Sequence, residues 1–514
     1  MTQTAARPRP ARGDRWLIGG LFGLLAAGVS LGVGELAAAV IRPASSPVIA
    51  VGNRMILLTP EPVKRWAIRQ FGTDDKHALL TGIYLVLAVC AVVIGLIAIR
   101  RPRLGIAGVG LFGLLGVYSA STANAARPSD VIPSILGAVA GGFVLHRLLR
   151  TTGTNAQVTD RRQFLSLSLI ALGVAAFGTL FGRLLQTQRF DANKARAKIV
   201  LPAPKDSEPA PRVGYDLGKS GVPFQTPNSD FYRIDTALSI PQLDPDTWQL
   251  RIHGQVEHEL TISYADLLAR PLVERWITLA CVSNEVGGDL ISTAQFRGVL
   301  LKDLLMEAGV SPSADQLLAV SADGMTIGSP TAIVMDGRDA MLAVGMNGQP
   351  LPVAHGFPVR MVVPGLYGYV SACKWIVELQ ATTFAAEQAY WVQGGWAQQG
   401  PVKLASRIDR PSGSQKLARG QQVAIAGVAW DQHVGVSRVE VQVDNGSWLP
   451  ATVAPVPSAD TWRQWVVLWT PTDPGHHKIR VRAYDAAGNA QDQAIADPFP
   501  SGATGLHTIG VTVQ

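Results

Sequence analysis

The sequence predicts a chain in three parts: an N-terminal bundle of about five membrane-spanning helices, an α+β domain and a C-terminal all-β sandwich. Three observations carry this. Apolar residues crowd in front of residue 186, arginines and lysines flank those apolar runs, and strand-like alternation takes over from about residue 404. The boundaries expected from these shifts are 1–185 for the helical part, 186–229 for a linker, 230–403 for the α+β domain and 404–514 for the sandwich.

The apolar share of 47% against 16% charged residues excludes a chain that is mainly disordered. Three cysteines in 514 residues exclude a disulfide-stapled scaffold. Residues 1–185 hold 19 Lys and Arg against 7 Asp and Glu, a net of +12, and the remainder has a net of −5. The overall +7 therefore reflects basic flanks of apolar spans and gives no reason to expect a nucleic-acid partner.

Five stretches approach the length needed to cross a hydrocarbon core of about 30 Å. They are Trp16–Ile41, Ala78–Ile99, Leu104–Ser121, Val131–Leu149 and Phe164–Leu185. Glycine and other small residues interrupt each one, which suits close helix packing in lipid. With the N-terminus inside, the inner segments carry 11 Lys and Arg, among them Arg7, Arg9, Arg12 and Arg15, and the outer loops carry 7. Five spans then put residues 186–514 outside the cytoplasm. Asp160-Arg161-Arg162-Gln163-Phe164-Leu165, just before the last span, resembles a twin-arginine export signal, the route of proteins that fold around a cofactor before export. The alternative is a plain positive-inside flank. Glu35 is a carboxylate inside the first span, where charge is costly. His77 and His146 lie at opposite ends of their spans and do not make a haem-ligating pair.

Beyond the linker, Trp248–Gly254 alternates like a strand, Ser263–Leu268 reads as a capped short helix, and Val299–Ala308 has helical spacing that stops at Gly309. Past Leu404, Val439, Val441 and Val443 alternate into Asp444-Asn445-Gly446, a hairpin signal. Trp465, Val467 and Trp469 follow, then Ile479, Val481 and Ala483. Short strands at this spacing over about 110 residues indicate an immunoglobulin-like sandwich.

The segment Trp276–Glu285 is an apolar strand that delivers one cysteine, Cys281, onto a polar loop. Such a cysteine is either inert packing or a single thiolate ligand. The chain contains no CxxC, CxxCH or HExxH, so zinc, iron–sulfur, c-type haem and zincin sites lack their residues.

In order along the chain come Cys281 with Asn284, then Asn347-Gly348-Gln349-Pro350-Leu351-Pro352, His355-Gly356-Phe357-Pro358-Val359-Arg360, Val363-Pro364-Gly365 and Cys373-Lys374-Trp375. From about residue 228 onward the chain thereby resembles the sulfite oxidase family of molybdenum enzymes. Gly427-Val428-Ala429-Trp430 resembles the family's dimerisation domain. The resemblance implies an oxidoreductase with a molybdenum-molybdopterin cofactor. Cys281 would be the catalytic position and the sole protein ligand to the metal. Tyr232, Arg233, Asn284, Asp323, His355, Arg360, Cys373 and Lys374 would line the pterin site. Implied partners are a small-molecule substrate, a membrane or envelope electron carrier linked to cytochrome or quinone, the lipid bilayer, and a second copy of the chain as a homodimer.

Two departures bear on substrate. Sulfite oxidases place arginines just after the metal cysteine, whereas this chain reads Cys281-Val282-Ser283-Asn284-Glu285-Val286. The family's pocket tryptophan is matched by Phe296, and its pocket tyrosine falls near Trp396. The expected function is therefore two-electron oxygen-atom transfer at an extracytoplasmic centre with a substrate other than sulfite. The alternatives are a sulfoxide reductase of the protein methionine sulfoxide type, a sulfite oxidase proper, a non-catalytic envelope module, or a transporter carrying an ectodomain.

Overall fold

The computed structural model describes residues 12–60, 75–123, 126–150, 158–189, 191–211 and 221–514, with isolated positions 63, 66–67, 70–71 and 217. Arg7, Arg9 and the linker positions 212–216 and 218–220 lie outside the described residues, as do the side chains of Arg12, Arg15, Arg161 and Arg162. The chain divides into two units. One comprises Met1–Asp191 with Thr236–Ile240, the other Ala192–Asp235 with Pro241–Gln514.

The first unit is helical: α1 (Arg12–Ile41), α2 (Pro47–Leu58), α3 (Asp75–Arg100), α4 (Pro102–Ser121), α5 (Ile132–Arg150) and α6 (Val158–Arg189). Among the described residues, five helical stretches are long and apolar enough to cross a membrane, namely Trp16–Ile41, Lys76–Arg100, Pro102–Ser121, Pro128–Arg150 and Leu165–Gly182. Helix α1 packs against α3, α5 and α6. Glycine permits this approach: a Cβ at Gly23 would run into the Ala91 carbonyl of α3, and one at Gly178 of α6 would meet the Gly32 backbone. Glu35 is buried on α1 and accepts a hydrogen bond from Ser46 Oγ at 2.6 Å, so the in-span carboxyl is polar-satisfied by the turn that starts α2.

The second unit holds four sheets. The first is a six-stranded mixed sheet. It runs β1 (Asp206–Ser207), β4 (Val273–Ala280), β5 (Ile291–Leu300), β8 (Met341–Met346) and β10 (Arg360–Val362), with β9 (Gln349–Pro350) on β8. The second runs β3 (Leu260–Ser263), β2 (Gln249–Gly254), β11 (Ile376–Thr382), β6 (Gln316–Ser321) and β7 (Thr326–Pro330). The C-terminal sandwich sets β12 (Ala405–Arg410), β14 (Val423–Trp430), β18 (Arg463–Trp469) and β17 (Thr452–Val453) in one sheet. Its other sheet runs β13 (Lys416–Leu417), β20 (Thr508–Val513), β19 (Gly475–Asp485), β15 (Val436–Val443) and β16 (Leu449–Pro450).

The linker expectation needs correction. Residues 192–211 belong to the second unit. Ala192–Arg196 forms a short helix, α7, and Arg196 Nε donates to the carbonyls of Pro350 and Leu351 at 2.9 Å. Strand β1 then adds to β4 in parallel. An edge strand satisfies its backbone without needing apolar periodicity of its own, which is why the Pro-rich stretch carried no strand signal.

Two helix boundaries follow from local chemistry. Helix α8 (Tyr264–Ala269) is capped by Ser263, whose Oγ accepts from Asp266 N at 3.1 Å. Helix α9 (Leu301–Ala308) ends at Gly309 with φ +64°, as its sequence suggested, but starts two residues later than the spacing implied. Val299 and Leu300 are spent on pairing β5 with β8. One buried core runs through the α+β sheets and takes in Trp430 and Trp462 of the sandwich, while a second fills the space between the two sandwich sheets.

Candidate cofactor site

Strand β4 is central, flanked by β1 and β5, and nearly every side chain along it is buried. It ends at Ala280, so Cys281 is the first residue of the loop that follows. Cys281 N donates to the Leu290 carbonyl at 2.9 Å, which closes a ten-residue loop from Cys281 to Leu290. Asn284 takes part in that closure: its Oδ1 accepts from Leu290 N at 2.9 Å, and its own N donates to the Cys281 carbonyl at 3.1 Å. Its amide oxygen therefore serves the loop that carries the cysteine.

The remaining expected residues gather around Cys281, with Asp323 behind Cys373. Burial raises the Cys281 thiol above its ordinary range, while hydrogen bonds from Ser283 and the charge of Lys374 draw it back down. Tyr232 is half-buried and feels both Cys281 and Arg360. Arg360, on β10, is 3% exposed, donates Nη1 to the His355 carbonyl at 3.2 Å and lies over the Phe296 ring at 5.8 Å. Burial lowers its pKa to about 10. Lys374 is brought down to about 8 by burial, although Asp235 opposes the shift. Its Nζ lies 3.1 Å from Asp235 Oδ2, and Arg233 Nε lies 2.8 Å from the same oxygen. Cys373 is fully buried behind Arg360, and burial with the charge of Asp323 pushes its thiol well up. Asp323 itself accepts from Met325 N at 3.2 Å, in the turn between β6 and β7.

His355 is 6% exposed, and its pKa falls to about 3, first by burial and then by Arg360, Lys374 and Arg233. Its Nε2 lies 3.2 Å from the Asn228 carbonyl oxygen, which only accepts, so Nε2 carries the proton. The neutral ring then presents Nδ1 as an acceptor, and that atom is buried without a hydrogen-bond partner. Arg360 Nε is likewise buried and unpartnered, as a donor. Buried polar atoms are nearly always satisfied, so an orphan acceptor beside an orphan donor in a cationic cluster fits an absent polar, anionic group.

Sequence reasoning missed three contributors. Asp235 pairs with both Lys374 and Arg233; it stands two residues after Arg233, and that local pairing was the available signal. Tyr367, pushed to about 12 by burial, also feels Cys281, and its place in Leu366-Tyr367-Gly368-Tyr369 gave no hint of this. Thr278 of β4 receives contacts from the sandwich that only the fold reveals. Phe296 is fully buried, edge-on to Phe231 and beneath Arg360, so in this structure it packs under the cluster. Trp396 is buried among Tyr369, Trp391 and Phe499. Glu285 is exposed.

Residues 237–391 match the model of the oxidoreductase molybdopterin binding domain, and residues 405–481 match that of the bacterial Ig domain. The chain is 30% identical to the mitochondrial sulfite oxidase of Homo sapiens over 350 residues, 58% of this chain and 62% of that protein. It is 31% identical to the uncharacterized oxidoreductase YuiH of Bacillus subtilis over 157 residues, 30% of this chain and 76% of that protein. The crystal structure of the sulfane dehydrogenase SoxCD from Paracoccus pantotrophus matches with a TM-score of 0.49 and 24% identity, over 56% of this chain and 80% of that chain. The chain belongs to the sulfite oxidase family of molybdopterin-binding oxidoreductases. It spans about three fifths of the length of the curated sulfite oxidases that it matches, 62% in the human case. The cofactor implied by this membership is molybdenum-molybdopterin.

Proposed function

We propose that this protein is a membrane-anchored molybdopterin-dependent oxidoreductase that transfers an oxygen atom with two electrons at an extracytoplasmic site. The observation that carries it is the juxtaposition of the buried Cys281 thiol, at the mouth of its loop, with the orphan atoms Arg360 Nε and His355 Nδ1. When bound, the cofactor supplies a metal that exchanges an oxo group and two electrons with substrate.

The protein's own residues then have defined tasks. Cys281 would hold the metal as a thiolate, and its raised thiol would make loss of that proton pH-dependent. Arg360, Lys374 and Arg233 would hold the pterin and its phosphate through charge-assisted hydrogen bonds. Binding of an anion would offset the repulsion from Arg360 and Arg233 that adds to burial in lowering Lys374. The unpartnered Nδ1 of neutral His355 would accept a hydrogen bond from the bound group. Tyr232 and Tyr367, both held protonated by desolvation of their hydroxyls, offer O–H groups beside the thiol without adding charge.

The five apolar helices support membrane anchoring, and the positive flanks support an outer placement of the site. The electron partner under this reading is a membrane or envelope carrier. A second reading, reduction of sulfoxides, is favoured by the absence of arginine from Cys281–Val286.

Metal analysis of the purified full-length chain, with a redox titration followed by electron paramagnetic resonance, tests the proposal. One molybdenum per chain and a Mo(V) signal are expected. In Cys281→Ser that signal should change or vanish and turnover should be lost, while pterin is retained. A Cys281→Ser protein with normal turnover overturns the assignment.

A further inference from the structure

Cys281 lies between two sites at which the C-terminal sandwich grips its strand and loop. Three residues before it, Thr278 of β4 makes three contacts. Its N donates to the Asp460 carbonyl at 2.9 Å, its Oγ1 accepts from Trp462 N at 2.7 Å, and its carbonyl accepts from Gln432 Nε2 at 3.2 Å. Thr278 and Gln432 are both buried.

After the cysteine, Arg407 on β12 donates Nη1 to the Gly288 carbonyl at 2.8 Å while its Nε pairs with Asp409 Oδ1 at 2.5 Å. His507, just ahead of β20, lies against Gly287. A Cβ there would collide with the imidazole, and Gly287 has φ +78°, so the site demands glycine twice over. Burial lowers the His507 pKa, and its Nδ1 accepts from Ile408 N at 2.9 Å, so the ring is neutral and fixed by the same strand that carries Arg407. The loop's own closure, Cys281 N to Leu290 O and Leu290 N to Asn284 Oδ1, lies inside these two grips.

We propose that the sandwich acts within its own chain as the positioning element for the Cys281 thiolate, with Arg407 as the positioning residue and His507 as its backstop. The proposal rests on Cys281 being the metal ligand. Arg407 acts on a carbonyl of the loop and reaches the thiolate only through the backbone. A charged side chain spent on a glycine carbonyl seven residues after the cysteine has a clear consequence: it limits where that loop holds the sulfur.

The test starts from full-length protein prepared without cofactor, so that it is independent of the molybdenum assignment. Iodoacetamide labelling is read by site-resolved mass spectrometry. Cys373, fully buried in the same core, reports global opening. In Arg407→Met, Cys281 should label about tenfold to a hundredfold faster, as expected from losing one charge-assisted hydrogen bond, with Cys373 unchanged. Arg407→Lys, whose ammonium still donates to a carbonyl, should restore most of the protection. His507→Ala should raise Cys281 labelling in the same direction and covers the case in which Arg407→Met fails to fold. With cofactor loaded, Arg407→Met should shift the Mo(V) g-values and Arg407→Lys should leave them near wild type. Unchanged Cys281 labelling in both Arg407→Met and His507→Ala, or an equal rise at Cys281 and Cys373, overturns the proposal. A cofactor-free protein that behaves as stated, beside a Cys281→Ser protein with full turnover, would instead overturn the metal-ligand reading alone.

Discussion

Lys374 Nζ and Arg233 Nε converge on one carboxylate oxygen, Asp235 Oδ2, at 3.1 and 2.8 Å. Asp235 and Lys374 are almost fully buried, and Arg233 is partly exposed. One anion shared by two cations leaves an excess of positive charge, which suits a phosphate. The pairing also fixes where the two cations stand before any ligand arrives.

Asp235→Asn should therefore weaken cofactor retention more than its distance from Cys281 would suggest. Removing one partner of a buried ion pair costs about 3–5 kcal/mol because a charge is left uncompensated. Lys374 would then shed its proton more readily, since burial and Arg360 already lower it. The expected result is a lower pterin content per chain after purification, recovered in part by growth in excess molybdate. Pterin content equal to wild type would show that the carboxylate does not preorganise the site.

His355 predicts an acid limb. Its folded pKa of about 3 lies below the ordinary 6.5. Between those values the unfolded chain binds a proton that the folded chain refuses, so stability falls as pH drops from 6.5 towards 3 and is unaffected by this group above 6.5. In His355→Gln that limb should flatten. Tryptophan-fluorescence unfolding midpoints of cofactor-free full-length protein across this range give the answer, and an unchanged slope in His355→Gln would refute the buried neutral imidazole.

Much of the fold was legible because it rests on local periodicity. The apolar spans, the Ser263 cap, the Gly309 stop and the alternating strands of the sandwich each follow from a repeat or a terminator within a few residues. The site was legible for a different reason: Cys281, His355, Arg360 and Lys374 sit in ordered motifs. What stayed hidden depends on contacts distant in sequence. Strand β1 exists because β4 offers it an edge. Asn284 looked like a cofactor contact, yet its amide oxygen is committed to closing the Cys281 loop. Tyr367 and Thr278 carry no local signature, since their partners are far away in the sequence.

The export reading makes its own forecast. If residues 186–514 cross the membrane already loaded with cofactor, Arg161 and Arg162 are both needed. Replacing both with Lys keeps the positive flank and removes the twin-arginine pair. External protease should then no longer reach the catalytic domain in intact cells, and the pterin-loaded domain should be found inside. A domain that is still outside and still loaded would reduce the pair to a topology determinant.

Sulfite is expected to be a poor substrate, and neutral sulfoxides or N-oxides better ones. The stretch Cys281–Val286 supplies no arginine where sulfite oxidases place them. Cations around the site have other duties: Lys374 is paired with Asp235, Arg407 with Asp409 and the Gly288 carbonyl, Lys403 Nζ donates to the Gly502 carbonyl at 2.7 Å, and Arg360 is assigned to the cofactor. Glu285 is solvent-exposed, so the deficit comes from missing positive charge rather than from a carboxylate aimed at the substrate. Each charge-assisted contact is worth roughly 1.5–3 kcal/mol. Losing two would weaken oxyanion binding by about 10²- to 10⁴-fold, at about 1.4 kcal/mol per tenfold. A neutral S=O or N–O group needs no such partners and can accept from the protonated hydroxyls of Tyr232 and Tyr367, which burial holds well above neutral pH. Steady-state assays decide between these, with sulfite and an artificial acceptor in one arm and sulfoxides with a reduced dye in the other. Efficient sulfite oxidation at a micromolar Michaelis constant would mean that another cation reaches the oxyanion, and Lys374→Met and Arg407→Met would then identify which.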